Sequence, residues 1–125
     1  MNKTVLIVDD NPDMQKYVGV NLRMRGFTVI SSSDTVFALE ILKKEPVDLM
    51  LMNSAVSGKE TRKICRRIRK ISNADILLMT NGTEAYHDTV SIDCISKPFG
   101  VEDLIARIQK MTNSRQERSN EYTYV

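Results

Sequence analysis

The run Thr4-Val5-Leu6-Ile7-Val8-Asp9-Asp10-Asn11-Pro12, residues 4–12, decides how the rest of the sequence is interpreted. Its first five residues lack polar alternation, which is typical of a strand that is buried on both faces of a sheet. The two aspartates end that strand, and Pro12 suits the first turn of a helix. The run therefore predicts a buried strand, an acidic turn and a helix in direct succession.

The same alternation of short apolar runs and amphipathic segments continues along the chain. Further strands are predicted at residues 27–30, 49–52, 76–79 and 92–96, and further helices after Ser33 or Asp34, over 59–71 and after Gly100. Alternating strands and helices favour right-handed crossovers, so the predicted fold class is α/β, with a five-stranded parallel sheet and helices on both faces. The segment from Thr80 to Val90 contains weak helix formers, and we expect its helix to be short or irregular.

Composition places the chain among folded domains. With 42% hydrophobic and 27% charged residues in 125, the chain can bury a core and lies far from the composition of disordered chains. A formal charge of +2 is too small to indicate nucleic acid or a membrane surface. The apolar run at 5–8 is too short for a membrane span or a signal peptide, and Cys65 and Cys94 have no metal or disulfide spacing. We therefore expect a cytoplasmic protein that binds neither membrane nor nucleic acid.

The chain divides at about residue 112. Residues 1–112 are predicted to form the domain, and residues 113–125 a polar, mobile tail, because apolar periodicity stops at Met111. The sequence leaves open whether the tail leads to another domain.

Polar side chains follow four of the predicted strands. Asp9 and Asp10 follow the first strand, Asn53 the third, Thr80 the fourth and Lys97 the fifth. The carboxyl ends of parallel strands share one edge, where ligands of such folds bind. Adjacent carboxylates need a compensating cation, and an all-oxygen site with few protein ligands suits Mg²⁺. The pattern predicts an acidic pocket for metal and phosphate.

Four segments of the chain together resemble the receiver domain of bacterial two-component response regulators. They are Val5-Leu6-Ile7-Val8-Asp9-Asp10-Asn11, Asp48-Leu49-Met50-Leu51-Met52-Asn53, Leu78-Met79-Thr80 and Lys97-Pro98-Phe99. The resemblance covers about residues 4–112 and implies a flavodoxin-like fold and signalling by phosphorylation-dependent protein interaction. It also implies a sensor histidine kinase or phosphotransfer protein as partner and an unnamed output protein, and it leaves a homodimer open.

The resemblance also implies roles for single residues. Asp10 would ligate Mg²⁺ directly, Asp9 would help through water, and Ala55 would offer its backbone carbonyl. Thr80 and Lys97 would each bind a phosphoryl oxygen. Asn53 stands at the phosphate-accepting position and beside the metal, where the family has an aspartate.

Asn53 alters the expected chemistry. A neutral amide oxygen is a poor nucleophile, so we expect phosphotransfer to be lost and Mg²⁺ to bind only weakly. The sequence departs from the family elsewhere too. Cys94 replaces a frequent aromatic residue, and Asn81 replaces a small one. In the loop after Asn53 only Gly58 fits the family pattern, and Lys97 follows Thr80 by only 17 positions, a shorter spacing than is usual in the family.

Two accounts of Asn53 remain open. The chain is either an Asp-to-Asn variant of a working receiver domain or a natural pseudo-receiver that acts as a phosphorylation-independent interaction module. A metal-dependent phosphatase or a nucleotide binder is disfavoured, because there is no Asp-x-Asp pair after the first strand and no glycine-rich loop. We therefore expect a protein that is not an enzyme.

The predicted helix over 59–71 is strongly basic. Six basic residues lie on the arc opposite Ile64, Ile68 and Ile71: Arg62, Lys63, Arg66, Arg67, Arg69 and Lys70. We interpret this arc as a solvated face. The alternative is a surface for an acidic partner or nucleic acid, although no aromatic residues are interleaved to stack on bases.

Overall fold

The computed structural model describes residues 2–81 and 92–123, with side chains as far as Arg115. The strands are β1 (Thr4–Val8), β2 (Thr28–Ser32), β3 (Leu49–Asn53), β4 (Asp75–Thr80) and β5 (Ile92–Ser96). The helices are α1 (Pro12–Met24), α2 (Thr35–Lys44), α3 (Ser54–Ser57), α4 (Thr61–Ile71) and α5 (Val101–Thr123), with a 3₁₀ turn at Gly58–Glu60. The helix that we expected to be short or irregular falls mostly on 82–91, outside the described residues.

The five strands form one parallel sheet in the order β2-β1-β3-β4-β5, as predicted. In the register of the sheet, Val8 lies opposite Met52, Asn53 opposite Met79, and Thr80 opposite Ser96. The carboxyl ends of β1, β3, β4 and β5 therefore lie along one edge. None of the helices in the described part of the chain is long and apolar enough to cross a membrane.

Each strand contributes to two separate cores. Leu6 and Val8 point to the core with α2 and α4, whereas Val5 and Ile7 point to the core with α1 and α5. All four side chains are fully buried. Burial on both faces explains why the first strand has no polar alternation in its sequence.

The start of β2 differs slightly from the prediction. Gly26, at φ 91°, ends α1, and the Phe27 N–H still donates to the Leu22 carbonyl at 3.1 Å. This is the hydrogen-bond pattern of a Schellman motif, and it keeps Phe27 attached to the end of the helix. The strand therefore begins at Thr28 rather than at residue 27.

The predicted loop after Asn53 is partly helical. The Asn53 side chain accepts from the Ala55 N–H and so caps α3, and a 3₁₀ turn follows. The hydroxyls of Ser57 and Thr61 lie 2.6 Å apart, and Thr61 also donates to the Gly58 carbonyl at 2.8 Å. These polar contacts start α4 at Thr61, two residues later than predicted from apolar spacing alone.

We expected the tail to begin at Asn113, but helix α5 continues past this residue to Thr123. Arg115 explains the continuation, because it donates to the Asn73 carbonyl at 2.7 Å and to Asn73 Oδ1 at 2.9 Å. The same guanidinium lies 3.6 Å from carboxylate oxygens of Asp48 and Asp75. A turn of helix beyond the apolar stripe is thereby attached to the base of the sheet. Mobility of residues 113–125 stays a prediction.

The base of the sheet holds further charges. Asp48 Oδ2 accepts from the Thr4 N–H at 2.8 Å, and Arg69 donates to the Ala74 carbonyl. Burial lowers the pKa of Arg69, and the nearby Asp75 carboxylate opposes that shift. Because Asp75 is only 3% exposed, removing one of these neighbouring cations would leave a buried carboxylate less well compensated.

Replacing Arg115 by Met should lower the free energy of unfolding by about 1–2 kcal/mol, because the buried Asp75 loses one of its cations. Urea unfolding measures this, and amide exchange should become faster beyond residue 113. Lys110→Met, at an exposed position of the same helix, is the matched control and should change neither quantity. Equal stability of the two variants would contradict the anchoring role of Arg115.

Candidate functional site

The sheet brings the predicted site residues to its carboxyl edge. Asp9 directly follows β1, Asn53 ends β3, Thr80 ends β4 and Lys97 directly follows β5. Asp9 and Thr80 are each 1% exposed, whereas Asp10 is exposed. The site therefore has a buried floor and one carboxylate that is open to solvent.

Asn53 connects the acidic and the basic parts of this site. Its Nδ2 lies 3.5 Å from Asp9 Oδ2, and its Oδ1 accepts from Lys97 Nζ at 3.0 Å and from the Ala55 N–H at 3.1 Å. Two donors at Oδ1 and a carboxylate at Nδ2 determine the orientation of the amide, because the flipped orientation would place donor against donor. One neutral side chain thus satisfies both a buried carboxylate and a lysine.

The backbone around Asp9 is held by α1 and β2. The Asp9 N–H donates to the Ser32 carbonyl at 3.0 Å, and Asp9 Oδ1 accepts from the Asn11 N–H at 3.0 Å. Gln15 Nε2 donates to the Asp9 carbonyl and, at 3.2 Å, to the Ser32 carbonyl. Gln15 was not predicted from the sequence. A single polar residue in the first turn of α1, next to the apolar Met14, does not by itself indicate such a contact.

Thr80 and Lys97 are joined through their backbones. The Lys97 N–H donates to the Thr80 carbonyl at 2.7 Å, and the Lys97-Pro98 peptide bond is cis. From this position the Lys97 side chain reaches past the end of β4 to Asn53 on β3. The end of β5 is therefore connected to the end of β4 through its backbone and to the end of β3 through the Lys97 side chain.

Ala55 and Cys94 complete the set of predicted positions. Ala55 is exposed in the first turn of α3, next to Asn53. Cys94 is partly buried and packs against the core on the side of α2 and α4. Its small side chain occupies the place where the resemblance implied an aromatic ring.

The oxygen atoms at the edge fit a hard divalent cation. Asp9, Asp10 and Asn53 offer carboxylate and amide oxygens, which suit Mg²⁺ with several retained waters. Within residues 2–81 and 92–123, no three His, Cys, Asp or Glu residues cluster as a metal site, so any ion would rest on two carboxylates and neutral oxygens. Asn53 Oδ1 is already hydrogen-bonded to the Lys97 ammonium, which would compete with a cation for that oxygen.

Comparison with known proteins identifies the domain. The family model of the response regulator receiver domain matches residues 5–109. The chain belongs to this family. The match takes in the five strands except Thr4 of β1, and every residue of the candidate site, so the flavodoxin-like fold inferred from the resemblance is confirmed.

Relatives agree with this assignment. The chain is 26% identical over 119 residues to the response regulator ArlR of Staphylococcus epidermidis, covering 91% of this chain and 54% of that protein. The chain thus spans about half the length of this relative.

Two solved structures show the same fold. The chemotaxis response regulator CheY4 of Vibrio cholerae has a TM-score of 0.78 and 22% identity, over 89% of this chain and 99% of that one. The receiver domain of the sensor histidine kinase PA1611 of Pseudomonas aeruginosa has a TM-score of 0.75 and 22% identity, over 90% and 99%. That structure holds a magnesium ion in its active-site cleft.

Replacing Asn53 by Asp should destabilise the metal-free domain by about 1 kcal/mol, or about 3–5 °C in Tm, because a carboxylate would face Asp9 across a 3.5 Å contact. Millimolar Mg²⁺ should restore the Tm of the variant and change the native chain much less. Differential scanning calorimetry with and without Mg²⁺ measures both effects.

Asn113→Asp is the matched control, since it makes the same chemical change at an exposed position of α5. It should show neither the loss nor the Mg²⁺ response. If Mg²⁺ stabilised the native chain more than Asn53→Asp, this would contradict the inference that a carboxylate at position 53 repels Asp9 and that Mg²⁺ relieves this repulsion.

Proposed function

We propose that this chain is a receiver domain of a two-component phosphorelay that does not accept phosphate, because Asn53 occupies the phosphate-accepting position. The observation that supports this most directly is the Asn53 amide, which is hydrogen-bonded to Lys97 and faces Asp9. An amide oxygen that already accepts from an ammonium and a backbone N–H is a still weaker nucleophile than a free amide.

The residues around Asn53 are those that a phosphoryl transfer would use. Asp9, Asp10, Asn53 and the Ala55 carbonyl would hold Mg²⁺, which when bound supplies positive charge to offset the phosphoryl oxygens. Lys97 would neutralise a phosphoryl oxygen, and Thr80 would donate its hydroxyl to another. With an aspartate at position 53, a carboxylate oxygen would attack phosphorus and form an acyl phosphate, while the leaving group departs on the opposite side.

With Asn53 in place, the domain stays in one signalling state. Lys97 is engaged by Asn53 Oδ1, and its N–H is bound to the Thr80 carbonyl, so the ends of β3, β4 and β5 share one set of contacts. Cys94 has no large ring that could change position with Thr80. The domain then recognises a sensor kinase, a phosphotransfer protein or an output protein in the cytoplasm by a surface that phosphate does not alter.

Two versions of this function differ in whether only the phosphate-accepting residue or also the output surface departs from the family. Asp9, Asp10, Thr80 and Lys97 remain at one edge, which favours a competent pocket that a single Asp-to-Asn exchange has silenced. Cys94 and the short spacing to Lys97 favour a pseudo-receiver whose output has also diverged. We favour the first version, because the pocket residues are all in place.

Incubating Asn53→Asp with acetyl phosphate and Mg²⁺ tests the proposal. Intact-protein mass spectrometry should show a gain of about 80 Da in the variant and none in the native chain. The double variant Asn53→Asp/Asp10→Asn, which keeps the new nucleophile but loses a metal ligand, should gain far less.

Four outcomes separate the candidates. Phosphorylation of Asn53→Asp alone supports the silenced receiver, and no phosphorylation of any variant supports the pseudo-receiver. Phosphorylation of the native chain would overturn both. Turnover of a generic phosphate ester by the native chain, lost in Asp10→Asn, would point to an enzyme instead.

A further inference from the structure

Positive charge is concentrated on helix α4. The helix carries six basic residues and no acidic one, whereas the whole chain has a formal charge of only +2. Since α4 alone contributes +6, the remaining residues together carry −4. The basic residues are therefore segregated on one helix of a chain that is otherwise acidic.

The charges of α4 are available at the surface. Cys65 and Ile68 are buried against the sheet, which turns Arg66, Arg67 and Lys70 outward, and all three are exposed. Among the described residues these three have no hydrogen-bond or ion-pair partner. Within residues 2–81 and 92–115, Lys63 forms an ion pair only with Glu60, at 3.8 Å and with both side chains largely solvated. We call the four residues Lys63, Arg66, Arg67 and Lys70 the basic face.

The basic face repels itself. Lys63 and Arg67, and likewise Arg66 and Lys70, are four residues apart, and like charges at this spacing destabilise a helix. Mixed charges would solvate the helix equally well at lower cost in stability, as the Lys43–Glu40 pair on α2 illustrates. An anionic partner would relieve this repulsion, so the pattern favours a binding role over mere solvation.

A cavity with an apolar wall and a larger polar wall adjoins the C-terminal end of the basic face. It has a volume of about 560 Å³. Its apolar wall is formed by Leu42, Pro46, Val47 and Ile71, and the rest of its lining is polar or charged: Glu45, Asp48, Arg69, Lys70, Ser72, Asn73 and Arg115. Pro46 is exposed, and Ile71 is 36% exposed. Basic and apolar contacts are thus continuous along one side of the molecule.

We propose that the basic face binds an acidic segment of a partner protein, with one apolar side chain of that segment against Pro46 and Ile71 on the apolar wall of this cavity. Charge complementarity to the unpaired Arg66, Arg67 and Lys70 selects the acidic residues. A nucleic acid fits less well, because a long polyanion would extend over the acidic remainder of the chain and would leave the apolar contacts of Pro46 and Ile71 unused.

Fluorescence anisotropy of labelled probes with the full chain tests this proposal. The probes are a poly-glutamate peptide, the same peptide with one central leucine, and a short DNA duplex. At low salt the leucine peptide should bind more tightly than poly-glutamate, and both more tightly than the duplex. Arg66→Gln/Arg67→Gln should weaken peptide binding about tenfold.

Two controls are needed. The first distinguishes binding by the basic face from an effect of net charge, and the second distinguishes the apolar contact from the contacts of the basic face. Lys16→Gln/Lys110→Gln removes the same charge from exposed positions outside α4 and should leave affinity nearly unchanged. Ile71→Gln should abolish the advantage of the leucine peptide while leaving poly-glutamate binding intact. Circular dichroism confirms that each variant is folded.

Three results would overturn the proposal. Equal weakening by the Lys16/Lys110 and Arg66/Arg67 variants would show that only net charge matters, and absence of binding to all probes would leave the face merely solvated. Tightest binding to the duplex, lost in Arg66→Gln/Arg67→Gln and unaffected by Ile71→Gln, would assign the face to nucleic acid.

Discussion

The buried carboxylate of Asp9 is the constraint on which the arrangement of this site depends. The residue is 1% exposed, and a charge in that position is costly unless hydrogen bonds or a cation compensate it. The Asn11 N–H serves one oxygen at 3.0 Å, and the Asn53 amide approaches the other at 3.5 Å. The nearby positive charge is the Lys97 ammonium, which does not contact Asp9 directly but donates to Oδ1 of the same Asn53 amide. One backbone N–H and the side chains of Asn53 and Lys97 thus compensate the buried charge of Asp9.

Parallel strand order explains how far the sequence could predict this site. Asp9, Asn53, Thr80 and Lys97 each follow or end an apolar run, and parallel strands must bring such positions to one edge. Contacts that have no period in the sequence could not be predicted in this way. Gln15 and Arg115 are the clearest cases, because each joins elements through a single polar side chain. The helical turn after Asn53 was missed for the same reason: Asn53 itself caps it.

The polar contacts at the two ends of the sheet differ in what they do. At the carboxyl edge, charges surround a polar pocket, whereas at the base Arg115, Asp48 and Asp75 attach α5 to the strands. Helix α4 begins beside the first of these ends and finishes beside the second, at the cavity that Arg69 and Arg115 also line. A partner on the basic face would therefore lie near the attachment of α5 and away from the site at the carboxyl edge.

An asparagine in this pocket changes charge with almost no change in shape. An aspartate at position 53 would place two carboxylates side by side, and such a pair is stable only when a metal or a second cation balances it. The amide removes that need, because it offers a donor to Asp9 and an acceptor to Lys97 at once. The same exchange removes the nucleophile. Under the proposed function, greater stability without metal and loss of phosphotransfer would be two results of one group, the Asn53 amide, so the presence of Asp9, Asp10 and Lys97 is compatible with a domain that does not use them for chemistry.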